Sequence, residues 1–358
     1  MHKVWRFVVL LSLLILPGIT AQAQFSGATQ VFLERDFDGT GRDRLSFIDM
    51  FGGENRSADI NGERYTLAGD EIIYYDTILQ QVMTVGADAV PETHPFIQRD
   101  DTARRVDWVL SPDGRWIAWT LTYDTAGLFS TVTHVTTING AENRIVLEDE
   151  PRAVRALPVA FNLDNSLLYM DAHPDGLEPY MAYTQYAGLF SLNLETGETQ
   201  ALPGEPGCFC GAAFRAGQFL RLALVDGGYD VKIYDLENER IETIPAMRLN
   251  NFTQAGDILI APDGTQAVYA LSQIEDFGTT QQSVRTVFMQ VDLLAMTQQP
   301  LTEPITTYVH PVAWTEDNTA ILFSSPQVAG TWKIDLRDGS FFKVAENAYL
   351  GILQSDNE

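Results

Sequence analysis

The sequence predicts an all-β chain built as a β-propeller of seven four-stranded blades, with six as the alternative count, and three observations predict it. A two-strand unit recurs five times at a blade-like period. Each unit runs on into a second strand pair, and the two ends of the chain carry complementary parts of one blade. Long helical patterns are absent.

Taken in order, residues 1–23 read as a secretory signal. Lys3 and Arg6 form a positive start, "FVVLLSLLIL" is the apolar run, and "AQA" ends at Ala23. The run is too short for a permanent bilayer anchor, and no cysteine follows the cleavage point to accept a lipid. Residues 24–358 are then one exported domain, secreted or periplasmic; an uncleaved N-terminal anchor is the minority alternative. "VFLERDFDGTGRDRLSFIDMFGGENRSAD" follows as a second, third and fourth strand with no first strand ahead of it.

The blade over residues 62–104 is the least regular, because "PETHPFIQRDDTARR" obscures its outer strand. After it come "VDWVLSPDGRWIAWTLTYD", "PVAFNLDNSLLYMDAHPDG", "CGAAFRAGQFLRLALVDGG", "GDILIAPDGTQAVYALSQI" and "HPVAWTEDNTAILFSSPQV", each an apolar strand, a polar turn and a second apolar strand. The residues before the turns, Leu110, Phe161, Phe214, Ile260 and Trp314, stand 51, 53, 46 and 54 residues apart, a period that suits one blade. Continuations such as "GLFSLNLETGETQALP" and "GTWKIDLRDGSFFKVA" supply third and fourth strands, with Gly, Asp and Asn where the chain must reverse. The leftover strand "AYLGILQ", residues 348–354, supplies the inner strand that the first blade lacks and closes the ring without exposed sheet edges.

"LSPDGRWIAWT", "IAPDGTQAVYA" and "VFLERDFDGTGRDRLSFIDMFGGEN" resemble the WD-like propeller repeats of the TolB family, over roughly residues 28–354. The resemblance implies the fold more than the function. TolB carries an N-terminal α/β domain for which this chain leaves no room, and no hydrolase domain of the prolyl-oligopeptidase kind is expected after the propeller.

The formal net charge of −25 becomes −27 once Lys3 and Arg6 leave with the signal. So negative a surface is repelled by phosphate backbones and anionic lipids, which argues against nucleic-acid binding and membrane docking. A monomer that recognises a protein or a small ligand is the expected role. The charge either keeps an exported chain soluble or attracts a cation or a basic partner.

Candidate sites follow from the loops. The short turns join first to second and third to fourth strands on one face. Longer loops, among them "AHPDGLEPYMAYTQYAG" and "SQIEDFGTTQQSV", emerge on the other, where recognition is expected. Tyr180, Tyr183 and Tyr186 are either contact aromatics or a cluster pinning their loop. Asp107, Cys210, Asp257 and His310 are placed at inner-strand starts around the channel mouth. They either form a cation site, which opens the alternative of a metal-assisted hydrolase or lactonase, or hydrogen-bond to neighbouring loops. His173 is a weak binding candidate, and both it and His94 read as surface histidines. Cys208 and Cys210 face the same way on a strand and form a strained disulfide or stay as two thiols, with metal binding a third option. Asp36, Asp38 and Asp43 imitate a calcium loop, but Thr40 and Arg44 occupy ligand positions, so a plain turn is expected there. No cofactor is implied beyond calcium or another divalent metal at these places. The sequence carries no G-x-S-x-G, H-E-x-x-H or phosphate-loop motif.

Overall fold

Alternating apolar strands that cannot bury their faces alone stack here into a ring. The computed structural model describes residues 28–177, 181–203, 210–215, 218–236 and 240–354, and among these it shows seven four-stranded antiparallel sheets and no helix. The seven-blade count holds. The first strands of the blades are Ala348–Gln354 for blade 1, then Gly62–Ala68, Ala103–Leu110, Val154–Phe161, Ala212–Arg215, Gln254–Ile260 and His310–Trp314 for blades 2 to 7. First strands of blades 1 and 2, 3 and 4, 5 and 6, and 6 and 7 pack against each other, which sets them at the inside of the ring.

Blade 1 is assembled from both ends of the chain, as the leftover strand predicts. Ala348–Gln354 pairs antiparallel with Ala28–Glu34, which continues into Asp43–Asp49 and Arg56–Ile60. Leu353 is buried in this blade's core, and the Thr331 hydroxyl of blade 7 accepts the Tyr349 N–H at 2.7 Å, tying the last blade to the first. The fourth strand of blade 2 is only Pro91–Thr93, which explains why its sequence signal is faint: Pro cannot donate to a ladder and suits an edge.

Each of the six hydrophobic clusters joins side chains of two neighbouring blades. Phe47 and Leu45 of blade 1, for instance, meet Ile72 and Tyr74 of blade 2. Apolar burial between blades therefore carries the ring, whereas hydrogen bonds hold each blade together. On the short-turn face the Asn165 amide donates to Asp113 at 2.9 Å, and that of Asn318 to Asp263 at 3.2 Å, linking the turns of blades 3 and 4 and of blades 6 and 7.

One regularity positions the functional face. Six of the seven first strands slip register against their second strand, at 63/66, 103/105, 158/160, 256/259, 311/313 and beside Leu350. A bulge inserts residues without a direct partner and turns their side chains. Within two of these bulges Arg64 and Asp257 take left-handed backbone, with φ of 57° and 54°. That conformation costs a non-glycine residue of order 1 kcal/mol or more. Asp107 and Asp257 lie inside strands beginning at Ala103 and Gln254, and Cys210 precedes the strand that begins at Ala212, correcting their expected place at strand starts; only His310 is a first residue.

Candidate functional site

The long connection of blade 4, between Leu167–Pro174 and Leu189–Asn193, does not stay over its own blade. Residues 181–187 cross the channel mouth as a strap, and buried polar contacts fix it on the far side. The Tyr183 hydroxyl is bonded to Ser272 of blade 6, and Ser272 in turn lies 2.6 Å from the Thr286 hydroxyl. The Tyr183 ring, 3% exposed, meets Tyr308 and His310 edge-on at 6.4 and 5.6 Å between centroids. Tyr186 forms an isolated antiparallel bridge with Cys210, exchanging both backbone hydrogen bonds at 3.0 and 3.2 Å. At its near end the strap is held by Asp171, a buried carboxylate that accepts the N–H groups of Ala187 and Gly188 at 3.0 and 2.7 Å. Burial raises the Asp171 pKa, and those two N–H groups work against the rise.

Tyr183 and Tyr186 thus pin the loop, one of the two roles expected for them, while Tyr180 lies outside the described residues. Gly256 makes the crossing possible: a Cβ there would stand 2.4 Å from that of Tyr183. The "SQIEDFGTTQQSV" loop is shorter than the sequence suggests, since the strands Gln266–Glu275 and Ser283–Asp292 run far out and bury Ser272 completely.

Under the strap lies a cavity of about 490 Å³ with walls from blades 3, 4, 6 and 7. Asp107, His173, Tyr183, Tyr186, Asp257 and His310 all line it. Asp257 is the hinge of the arrangement, because one carboxylate oxygen accepts the Thr184 N–H of the strap at 3.3 Å while the other contacts His310 Nδ1. An imidazole held this way by a carboxylate has a fixed tautomer and orientation. Asp107 belongs to a different group: its carboxylate is gripped by Arg105 at 2.8 Å and by Arg64 at 3.3 Å. Among the described residues no set of three His, Cys, Asp or Glu side chains is arranged to hold a metal ion.

His173 and His94 are not surface residues; both are buried, at 4% and 2% exposure. His173 bonds through Nδ1 to the Pro174 carbonyl at 2.5 Å. His94 Nδ1 accepts the Ile97 N–H at 3.0 Å, and burial lowers its pKa to about 4. Each follows or precedes a short apolar stretch beside proline, a pattern that sequence alone cannot tell from an exposed loop. Cys210 is disulfide-bonded, and Cys208 lies outside the described residues. The residues that sequence reasoning missed are Asp171 and the arginines Arg64, Arg105 and Arg155. For Asp171 and Arg155 a single charge in an apolar strand was the available signal; Arg64 and Arg105 stand beside another charge, Glu63 and Arg104, and carried no such mark.

The 36–43 loop is built as a turn. Asp43, 5% exposed, accepts from Arg35 at 2.6 Å, from the Asp36 N–H at 3.0 Å and from the Tyr65 hydroxyl of blade 2 at 2.7 Å. Asp36 accepts the Gly41 N–H at 2.6 Å. Asp38 accepts from Thr40 and Arg42, bonds that lower its pKa to about 2. Arg44 turns away to pair with Asp59 at 2.7 Å, over the Phe37 ring.

Comparison with known proteins adds a fold and no family. No family model matches the chain, and no curated protein matches it. Solved structures do. A prolyl endopeptidase is similar at 10% identity and a TM-score of 0.59, over 92% of this chain and 51% of that one, so this chain spans about half of it. An oligogalacturonate lyase in complex with manganese is similar at 12% identity and a TM-score of 0.54, over 90% and 86%. TolB from Acinetobacter baumannii is similar at 11% identity and a TM-score of 0.45, over 90% and 65%. No helix of the described residues is long and apolar enough to cross a membrane.

Proposed function

We propose that this propeller is an exported binding protein that takes a small ligand in the cavity under the 181–187 strap. The observation that carries the reading is the strap itself. It bridges blades 4 and 6 through buried Tyr183, and the space beneath it has the size of a small-molecule site with a few convergent polar groups. Export is supported by the sequence of residues 1–23 and by the disulfide at Cys210, since such bonds persist in oxidising compartments. The 36–43 loop is read as a structural turn without calcium, because its carboxylates already serve as acceptors for the loop's own donors.

The test is native mass spectrometry of the protein recovered from the extracytoplasmic fraction of its own cells. A small molecule retained by the wild type and released by Ala182→Trp, which fills the cavity, is the expected result. Wild type and variant carrying identical cargo, or none, would refute the reading.

A second reading rests on the Asp257–His310 pair, which orients an imidazole for general acid–base chemistry at the cavity wall. Enzymes occur on this fold, but that analogy concerns the scaffold alone. Turnover of a bound ligand that falls a hundredfold or more in Asp257→Asn, with binding retained, would favour it over pure binding.

A further inference from the structure

Beside the strapped cavity, and sharing Arg105 with it, lies a second cavity of about 380 Å³ whose wall is mostly arginine. Its seven lining residues include Arg64, Arg104, Arg105 and Arg155, with Glu63 and Asp175 as the acidic members, in a chain whose formal net charge is −25. These arginines come from the first strands of three successive blades, so the ring and not local sequence gathers them. The bulges at 63/66 and 103/105 fall on Arg64 and Arg104, and Arg64 holds the strained φ of 57°.

We propose that this cavity is an oxyanion site, holding the carboxylate, sulfate or phosphate group of a small ligand on the guanidinium groups of Arg64, Arg104, Arg105 and Arg155. Three features support it. The Arg64 guanidinium carbon lies over the rings of Tyr75 and Trp108, at 4.9 and 5.0 Å from their centroids, and the group is bonded to the Val106 carbonyl, so its fork is preorganised. Arg155 is 2% exposed, so its guanidinium is fixed in the wall between blades 3 and 4. Asp175 is shared between it and Arg104, at 3.3 and 2.6 Å. Burial depresses the pKa of Arg64 and of Arg155, and for Arg155 repulsion by Arg105 is the next cause, ahead of any attraction. Asp107 and Asp124 bond Arg64, Arg105 and Arg104 from outside the cavity lining, which orients the forks. Arginine, with no lysine among the four, matches the planar two-point recognition that oxyanions favour. The inference goes beyond the strapped cavity and stands without it.

Calorimetric titration of the full chain with sodium phosphate, sulfate or malonate, at constant ionic strength set by chloride, tests the site. Saturable binding of at least one oxyanion is expected. Phosphate or sulfate alone would assign a tetrahedral group, and malonate alone a carboxylate. Arg64→Gln and Arg104→Gln, neither of which lines the larger cavity, should each weaken binding about tenfold to a hundredfold. Arg56→Gln, on the outer strand of blade 1, should leave it unchanged. Should Arg64→Gln fail to fold, the half-exposed Arg104 gives the same test alone. Absence of saturable binding by all three anions, or binding that both cavity variants leave intact, would overturn the site.

Discussion

At the scale of single residues, the same chemistry reads differently once its neighbours are known. Asp36, Asp38 and Asp43 are equal letters in a calcium-like string, yet Asp38 serves only the surface turn while Asp43 anchors Arg35, the loop backbone and Tyr65 across a blade boundary. Asp38→Ala should therefore cost under about 1 kcal/mol, and Asp43→Ala about 2 to 4 kcal/mol, by chemical denaturation. Millimolar calcium should leave the melting temperature of the wild type unmoved. A response that appears only in Arg44→Asp, which supplies the missing carboxylate but also breaks the Asp59 pair, would fit the turn, and a strong wild-type response would contradict it. His94 makes a pH prediction. Its folded pKa of about 4 lies below the ordinary 6.5, so the unfolded chain binds the extra proton first. The stability it contributes is full above pH 6.5 and is lost as pH falls toward 4, up to about 3 kcal/mol. His94→Gln should flatten that part of the stability–pH curve. The turn was legible in Thr40 and Arg44, but the burial of His94 was not, because a lone histidine beside proline carries no mark of burial in the sequence.

At the scale of elements, the strands were legible and the strap was not. Turn residues at a regular period and alternating apolar runs announce each blade, and "AYLGILQ" announces its own displacement to the other end of the chain. The strap depends instead on pairs far apart in sequence: Tyr183 with Ser272, Asp257 with Thr184, Gly256 with the Tyr183 Cβ. Tyrosines every third residue signalled a special loop without saying where it would dock. Gly256→Ala should push the strap off blade 6. Hydrogen exchange of residues 181–187 should then speed by at least tenfold while the blade cores stay protected. Tyr183→Phe, which removes only the hydroxyl, should cost about 1 kcal/mol. Unchanged exchange in Gly256→Ala would mean that the strap does not need that close approach.

At the scale of the whole molecule, ring closure and the binding face are linked, since first strands from successive blades build both. Deleting residues 347–358 leaves blade 1 without its inner strand, strips Leu353 from a buried site and removes the Tyr349–Thr331 tie. The loss should be on the order of 5 kcal/mol, and the melting temperature should fall accordingly. An unchanged melting temperature would refute closure. The repeat period made this architecture readable, while the arginine cavity and the strapped cavity arise only when strands some fifty residues apart are brought side by side. The central claim, that the space beneath the strap is a ligand site, is tested most directly by a thermal-shift screen of small molecules on the wild type and on Ala182→Trp in parallel. The account predicts ligands that raise the wild-type melting temperature in a saturable way and do nothing to the filled variant. Ligands that stabilise both equally would place binding elsewhere and contradict it.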